Sequence, residues 1–178
     1  MNAVDHKALV AELVTKVQEG DQASFDQLFA ETHRLARKVA YAIVGPELVE
    51  DAVQESYILV FQKIRQLDQP AAFLGWLSRL VMHVCYRVKR KHPEETSLPE
   101  HDLQTPDPTK SALTTIHLRQ ALDRLHKDDR EILVLRELLT LSYEEVAYAL
   151  AMPVGTVKSR LNTARKRLKE RLELYPRA

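Results

Sequence analysis

The sequence predicts an all-α fold in which two small helical domains are joined by a flexible acidic linker, and the second domain contains a helix-turn-helix. Apolar residues recur at spacings of three and four along several windows, which is the pattern of amphipathic helices. No segment sustains the alternation of apolar and polar residues that indicates a β-strand. One proline-rich, acidic stretch interrupts the helical pattern and divides the 178 residues into two parts of domain size.

The first domain, residues 1–91, contains four predicted helices. Their apolar stripes cover residues 9–17, 25–43, 48–64 and 73–88. Within each stripe the apolar residues return about once per helical turn, so they share one face and can pack into a common core.

The linker, residues 92–111, contains four of the eight prolines, five acidic residues and one basic residue. Each proline lacks a backbone N–H and disfavours helix at the residue before it. No hydrophobic period runs through the segment. We therefore expect a flexible, negatively charged connection between two domains.

The second domain, residues 112–178, has a helical pattern of its own, and two residue pairs in it predict where helices begin. Asp128 with Glu131, and Ser142 with Glu145, have the spacing of capping boxes, which predicts a helix beginning at each pair.

The end of this domain has the spacing of a helix-turn-helix, with helices over residues 142–150 and 154–172 and a break between them. From residue 153 to residue 172 there are seven basic residues and one acidic residue. Such a helix can enter the DNA major groove, with cations on phosphates and small polar groups on base edges. The alternative is a solvated basic face that complements the helix dipole. The candidate DNA contacts are Thr156, Lys158, Ser159, Arg160, Asn162, Thr163 and Lys166.

A second basic patch lies at the end of the first domain. No acidic residue lies between residues 79 and 91, which contain its cations. Cations that follow a backbone, together with aromatic rings for stacking, suit single-stranded nucleic acid. The alternative is that the aromatic residues belong to the core. The patch comprises Arg79, Arg87, Lys89, Arg90 and Lys91, with Phe73, Trp76 and Tyr86 nearby.

The third predicted helix has a polar face formed by Asp51, Gln54, Glu55, Gln62 and Lys63. A face of this kind is either solvated or a docking surface for a partner.

Charge, cysteine content and hydropathy exclude several classes of protein. The formal net charge of +1, taken alone, argues against nucleic-acid binding. It is, however, the sum of +1 in residues 1–91, −4 in residues 92–111 and +4 in residues 112–178, so the acidic linker cancels positive charge that lies in the two domains. One cysteine and scattered histidines are poor evidence for a metal site, and no glycine-rich or nucleophile motif is present. No apolar run approaches the ~20 residues that span a bilayer. We expect a cytoplasmic protein without catalytic, cofactor or metal sites and without membrane insertion.

Six collinear segments connect the chain with a known family. Pro153-Val154-Gly155-Thr156-Val157-Lys158-Ser159-Arg160-Leu161 is the most specific string. With it, the chain resembles the extracytoplasmic-function (ECF) sigma factors, the small two-domain initiation factors of bacterial RNA polymerase. The other matching segments are residues 24–29, 51–61, 73–91, 130–133 and 141–147.

The resemblance implies a role for each part of the chain. Residues 1–91 would be a domain like sigma region 2, which binds core RNA polymerase and melts the −10 element. Residues 112–178 would be a domain like sigma region 4, which reads the −35 element. The seven candidate DNA contacts of the last helix, given above, would make this second set of contacts. The acidic linker would run toward the polymerase active-site cleft. Further expected contacts are the β′ clamp helices, the β flap, promoter DNA and an anti-sigma factor. The implied polymerase-binding residues are Asp51, Gln54, Glu55 and Tyr57, and the implied −10 residues are Trp76, Arg79, His83, Arg87, Arg90 and Lys91.

The chain departs from the family pattern at four positions. The family often has Asn, Asp and Arg where this chain has His83, Arg87 and Thr163, and usually Gly where it has Ala151. Promoter preference is therefore not transferable from the family. The alternative function is a stand-alone helix-turn-helix regulator, which would explain the second domain but not the first.

Overall fold

The computed structural model describes residues 3–92 and 110–173, and side chains for residues 4–92 and 117–173. All regular secondary structure in these ranges is helical, which confirms the predicted all-α class. The predicted linker lies almost wholly outside the described residues. No described helix has the length and the apolar character that crossing a membrane would require.

The first four helices form what we call the first bundle. Two single turns of 3₁₀-helix, Ile64–Gln66 and Pro70–Ala72, connect its last two helices. The helices are α1 (Ala3–Gln18), α2 (Gln22–Val44), α3 (Val49–Lys63) and α4 (Phe73–Lys91).

The remaining helices form the second bundle. A π-helical turn, Val134–Leu138, continues directly from the second of them. The helices are α5 (Lys110–Asp123), α6 (Lys127–Leu133), α7 (Tyr143–Leu150) and α8 (Val154–Glu173).

The two ends of α7 define the helix-turn-helix. At its start the Glu145 N–H donates to Ser142 Oγ at 3.1 Å and the Ser142 N–H donates to Glu145 Oε2 at 2.7 Å, which is the predicted capping box. At its end Ala151 adopts a left-handed φ of 50°, a conformation that is easier for glycine. The reversal at Ala151 lets α8 begin only three residues later.

The second predicted capping box, Asp128 with Glu131, is wrong. The helix begins two residues earlier than predicted, with His126 as N-cap, and the Asp128 N–H donates to His126 Nδ1 at 3.4 Å. Asp128 already lies in the first turn, where its carboxylate is favourable next to the positive end of the helix dipole.

Helix α4 is the central element of the first bundle. One side of it is fully buried against α1, α2 and α3, through residues that include Phe73, Leu77, Val81 and Met82. Cys85 lies on the same side, and burial raises the pKa of its thiol to about 12, so it is an inert apolar group.

The two bundles lie against each other and share one continuous apolar core. One close approach is at Gly75 of α4, where an added Cβ would lie 3.2 Å from Ala149 Cβ of α7. Lys7 of α1 reaches the same helix and donates to the Glu145 carboxylate at 2.7 Å. The predicted domains are therefore in direct contact.

Candidate nucleic-acid and polymerase interfaces

A groove of about 780 Å³ runs along the solvent side of α4. Five of the six residues that the sequence assigned to −10 DNA line it, and Lys91 is exposed at the end of the helix beyond it. These five are Trp76, Arg79, His83, Arg87 and Arg90.

The groove also contains cations that do not belong to that predicted set. Lys63 at the end of α3, Lys89 of α4 and Lys127 at the start of α6 all line it. Lys89 already belonged to the basic patch predicted from the sequence, and Lys63 stood in the polar face predicted for the third helix. Lys127 comes from the other bundle, and only the tertiary packing places it here.

The groove offers both charged and neutral hydrogen-bonding groups. Burial lowers the pKa of His83, and the nearby charges of Lys127, Arg79 and Lys63 lower it further. The imidazole is therefore neutral at physiological pH, with one donor and one acceptor nitrogen. Trp76 is half-buried, with its ring centroid 5.8 Å from that of buried Phe73, so part of its ring faces the groove.

Arg87 connects this groove with the predicted polymerase face. Its Nη2 lies 2.7 Å from Glu55 Oε1 of α3, and both side chains are partly exposed. Two residues that the sequence placed in different sites therefore form one ion pair.

The predicted polymerase face lies on α3 beside an apolar groove. Asp51 and Gln54 are exposed, and Gln54 lines a groove of about 560 Å³ between α2 and α3. Three large apolar side chains that the sequence did not assign to a site also line it: Phe29, Ile58 and Phe61, which are 38%, 53% and 57% exposed. Both phenylalanines lie in stripes that the sequence assigned to the core.

Tyr57 differs from the other predicted polymerase contacts because it is buried, with 6% of its surface exposed. Its hydroxyl lies 2.8 Å from Thr32 Oγ1, and burial raises its pKa to about 12. Its ring centroid lies 4.6 Å from that of Phe29. Tyr57 therefore packs against Phe29, a residue that lines the groove, from the buried side.

The solvent side of α8 contains the predicted duplex-binding residues. Val157, Leu161 and Ala164 are buried on the opposite side and fix the helix against the second bundle. Six of the seven predicted residues are exposed and Thr156 is half-buried; the exposed six are Lys158, Ser159, Arg160, Asn162, Thr163 and Lys166.

The cations of α8 differ in whether a carboxylate of the protein already binds them. Arg165 donates to Glu137 and Arg167 to Asp129, each with a contact of 2.6 Å, so both arginines tie α8 to the preceding elements. Arg160 Nη1 lies 3.8 Å from Asp128, a looser contact. Lys166 forms no ion pair with any residue that the structure describes.

Comparisons with known proteins identify the family. The model of "Sigma-70 region 2" matches residues 28–93, and that of "Sigma-70, region 4" matches residues 116–168. The ECF RNA polymerase sigma factor SigM of Mycobacterium tuberculosis is 32% identical over 165 residues, which cover 92% of this chain and 84% of SigM. The chain belongs to the ECF sigma factors of the sigma-70 family. Its activity is promoter-specific transcription initiation with RNA polymerase.

Solved structures agree with this assignment. The sigma factor RpoE, in its complex with the anti-sigma factor NepR from Bartonella quintana, is 25% identical, with a TM-score of 0.63 over 85% of this chain and 98% of RpoE. CnrH, in its complex with the cytosolic domain of CnrY, is 23% identical, with a TM-score of 0.74 over 94% of this chain and 99% of CnrH. The similarity to CnrH shows a shared fold.

Tyr57→Phe in this sigma factor is expected to lower the free energy of unfolding by about 1 kcal/mol, because Thr32 loses a buried hydrogen-bond partner. Binding to core polymerase should not change, since the hydroxyl does not reach the surface. Urea denaturation and a fluorescence titration with core polymerase measure the two effects. Tyr148→Phe, at a position that is 42% exposed, is the control. Weaker polymerase binding at unchanged stability would instead place the Tyr57 hydroxyl in the interface.

Proposed function

We propose that this sigma factor divides promoter recognition between α4 and α8 and docks on core RNA polymerase through α3. In this assignment residues 1–91 bind polymerase and melt the −10 element, residues 92–111 link the domains, and residues 112–178 read the −35 element. The observation that supports it best is the presence of two cationic surfaces with different chemistry on two helices.

The α4 groove suits an unpaired DNA strand. Arg79, Arg87 and Arg90 follow one side of the helix and can contact successive phosphates. Trp76 provides a surface on which a base can stack, and neutral His83 can hydrogen-bond to a base edge. Cations, an aromatic ring and a neutral hydrogen-bonding group in one groove are the components that single-strand capture needs.

The exposed side of α8 suits duplex DNA in the major groove. Ser159, Asn162 and Thr163 are short polar residues that can reach base edges, while Lys158 and Lys166 on either side can contact phosphates. Arg165 and Arg167 are already paired with carboxylates of the preceding elements and are not among the proposed DNA contacts. The C-terminal domain would also contact the β flap of the polymerase.

The surface of α3 suits the β′ clamp helices. Exposed Asp51 and Gln54 supply polar contacts at the edge, and the groove lined by Phe29, Ile58 and Phe61 supplies apolar area. A few aromatic anchors surrounded by polar groups are typical of protein interfaces.

The proposal includes an inhibitor and a location in the cell. The related RpoE was solved with an anti-sigma factor, and we propose that this chain is likewise held by one in the cytoplasm. Catalysis of RNA synthesis belongs to the polymerase, and the sigma factor supplies recognition alone.

Transcription from purified components tests this function. Core polymerase plus this chain should produce transcripts with defined 5′ ends from genomic DNA, and Gln54→Arg should reduce core binding at least tenfold without changing duplex binding. Gln66→Arg, an exposed position outside the apolar groove, is the matched control. Duplex binding without any binding to core polymerase would instead support a stand-alone helix-turn-helix regulator.

Lys166→Ala should weaken binding to a −35 duplex in a salt-dependent manner. Loss of one phosphate contact is expected to reduce the slope of log affinity against log salt by about 1. Fluorescence anisotropy at four salt concentrations measures it. Lys16→Ala removes the same charge from α1, where Lys16 pairs with Glu12, and should leave the slope unchanged. An unchanged slope for Lys166→Ala would remove Lys166 from the DNA interface.

A further inference from the structure

A cavity of about 570 Å³ lies between α2 and the second bundle, and none of the residues that line it belongs to the proposed DNA or polymerase sites. Helix α2 contributes Tyr41 and Ala42 to its wall. Apolar side chains of the second bundle form most of the rest: Leu118, Leu122, Leu133, Val134, Leu138 and Leu168. Small-molecule sites typically have volumes of about 300–1,000 Å³ and mostly apolar walls with a few convergent polar groups. The size and the wall of this cavity meet that description.

One buried cation reaches the cavity. Arg119 of α5 lines it, with only 7% of its surface exposed. Its guanidinium keeps its charge at physiological pH, yet its buried Nε has no hydrogen-bond acceptor among the described residues. Buried donors in folded proteins are nearly always paired, so an unpaired one beside an empty apolar space calls for a partner that enters that space.

The end of α2 makes room for this guanidinium. Gly45, the C-cap of α2, has φ of 82° and ψ of −172°, a conformation that is open essentially to glycine alone. A Cβ at Gly45 would collide with the Arg119 guanidinium. The negative end of the α2 dipole favours a cation here, which explains the position of the charge but supplies no acceptor for Nε.

The carboxylates near Arg119 are engaged elsewhere. Asp123, one turn farther along α5, accepts from Lys89 at 2.8 Å and lies 3.6 Å from Arg130 Nη1. Glu137, which lines the cavity, accepts from Arg165 at 2.6 Å. The surroundings of Arg119 therefore retain an excess of positive charge.

Exposed cations of α2 increase that excess. Arg34, Arg37 and Lys38 line the cavity on its solvent side. Arg37 donates to Glu50 at 2.6 Å, whereas Arg34 and Lys38 form no ion pair with any residue in the described ranges. Together with Arg119, four cations face one carboxylate, that of Glu137, around an apolar space. This combination is complementary to a molecule with an anionic head and an apolar tail.

We propose that this cavity binds a small amphipathic anion, a single-chain carboxylate whose head pairs with Arg119 and whose tail lies between α2 and the second bundle. A carboxylate provides the acceptor that Nε lacks, and it matches the planar guanidinium with two parallel hydrogen bonds. A neutral apolar molecule would leave Nε unpaired, and a small inorganic anion would leave the apolar wall uncovered. The tail and the charge are therefore both needed.

Calorimetric titration of the full chain with decanoate, below the concentration at which decanoate aggregates, tests this site. We expect saturable binding with a stoichiometry of one. Decyltrimethylammonium has the same tail with a positive head, and butyrate has the same head with a short tail; each should bind at least tenfold more weakly. Equal binding of decyltrimethylammonium would show unspecific apolar adsorption and overturn the proposal. Absence of saturable decanoate binding, as expected of a surface that serves a protein segment, would also overturn it.

Substitution of the buried cation locates the head of the ligand. Arg119→Gln should weaken decanoate binding at least tenfold and leave the weak binding of decyltrimethylammonium unchanged, whereas Arg119→Lys, which keeps the charge, should lose less. Arg65→Gln removes an exposed cation outside the cavity and is the control. A merely structural role for Arg119 would alter both amphiphiles alike, and that result would contradict the proposal.

A pair of variants at Leu138 keeps the test independent of the buried core. Leu138 lines the cavity and is 41% exposed, so either replacement leaves the packing of the bundles intact. Leu138→Glu and Leu138→Lys remove the same apolar side chain and differ only in the charge that they add. Decanoate should bind the Lys variant at least tenfold more tightly than the Glu variant, and the order should reverse for decyltrimethylammonium. Equal affinity of decanoate for the two variants would overturn the proposal. These measurements need neither polymerase nor DNA, so they are independent of the proposed promoter recognition.

Discussion

The burial of one side of α4 is the constraint on which the rest of this structure depends. Phe73, Leu77 and Val81 are fully enclosed by the other helices of the first bundle, so α4 cannot rotate without exposing them. The residues on its other side are therefore held in a fixed row. Trp76, Arg79, His83, Arg87 and Arg90 follow one another at spacings of three and four, which places them along one face of a helix. The core of the bundle thus positions the groove proposed to hold a DNA strand.

The same constraint joins the two bundles and both proposed interfaces. Gly75 lies on α4 one residue before Trp76, so α7 packs beside the groove. Arg87, four residues after His83, pairs with Glu55 of the polymerase-facing helix. These contacts therefore all meet on one helix, α4.

Much of this arrangement follows from local sequence pattern. Helical periodicity predicted the helices, and the box formed by Ser142 and Glu145 marked the start of the helix-turn-helix. The row of cations on α4 follows from spacing alone. Tyr57 has the same spacing as the buried residues Val53 and Val60, so its burial was also foreseeable from the pattern.

Other features depend on how distant elements meet. Lys127 joins the α4 groove only because the bundles pack together, and no local pattern encodes that. Phe61 follows the apolar period of α3, yet it is 57% exposed because α2 and α3 leave a groove between them. His126, not Asp128, is the N-cap, because its ring nitrogen can accept a backbone hydrogen bond as a small polar side chain would. The general preference for Ser, Thr, Asp and Asn at N-caps does not predict a histidine there.

Site-specific photocross-linking within the initiation complex tests the division between α4 and α8 most directly. Benzoylphenylalanine would replace His83 in one variant and Thr163 in another, and the cross-linked DNA position would be mapped for each with core polymerase on one promoter. The account predicts that position 83 cross-links to the unpaired strand near the start site and position 163 to duplex DNA farther upstream. Cross-links from both positions to the same duplex segment, or from position 83 to protein alone, would contradict it.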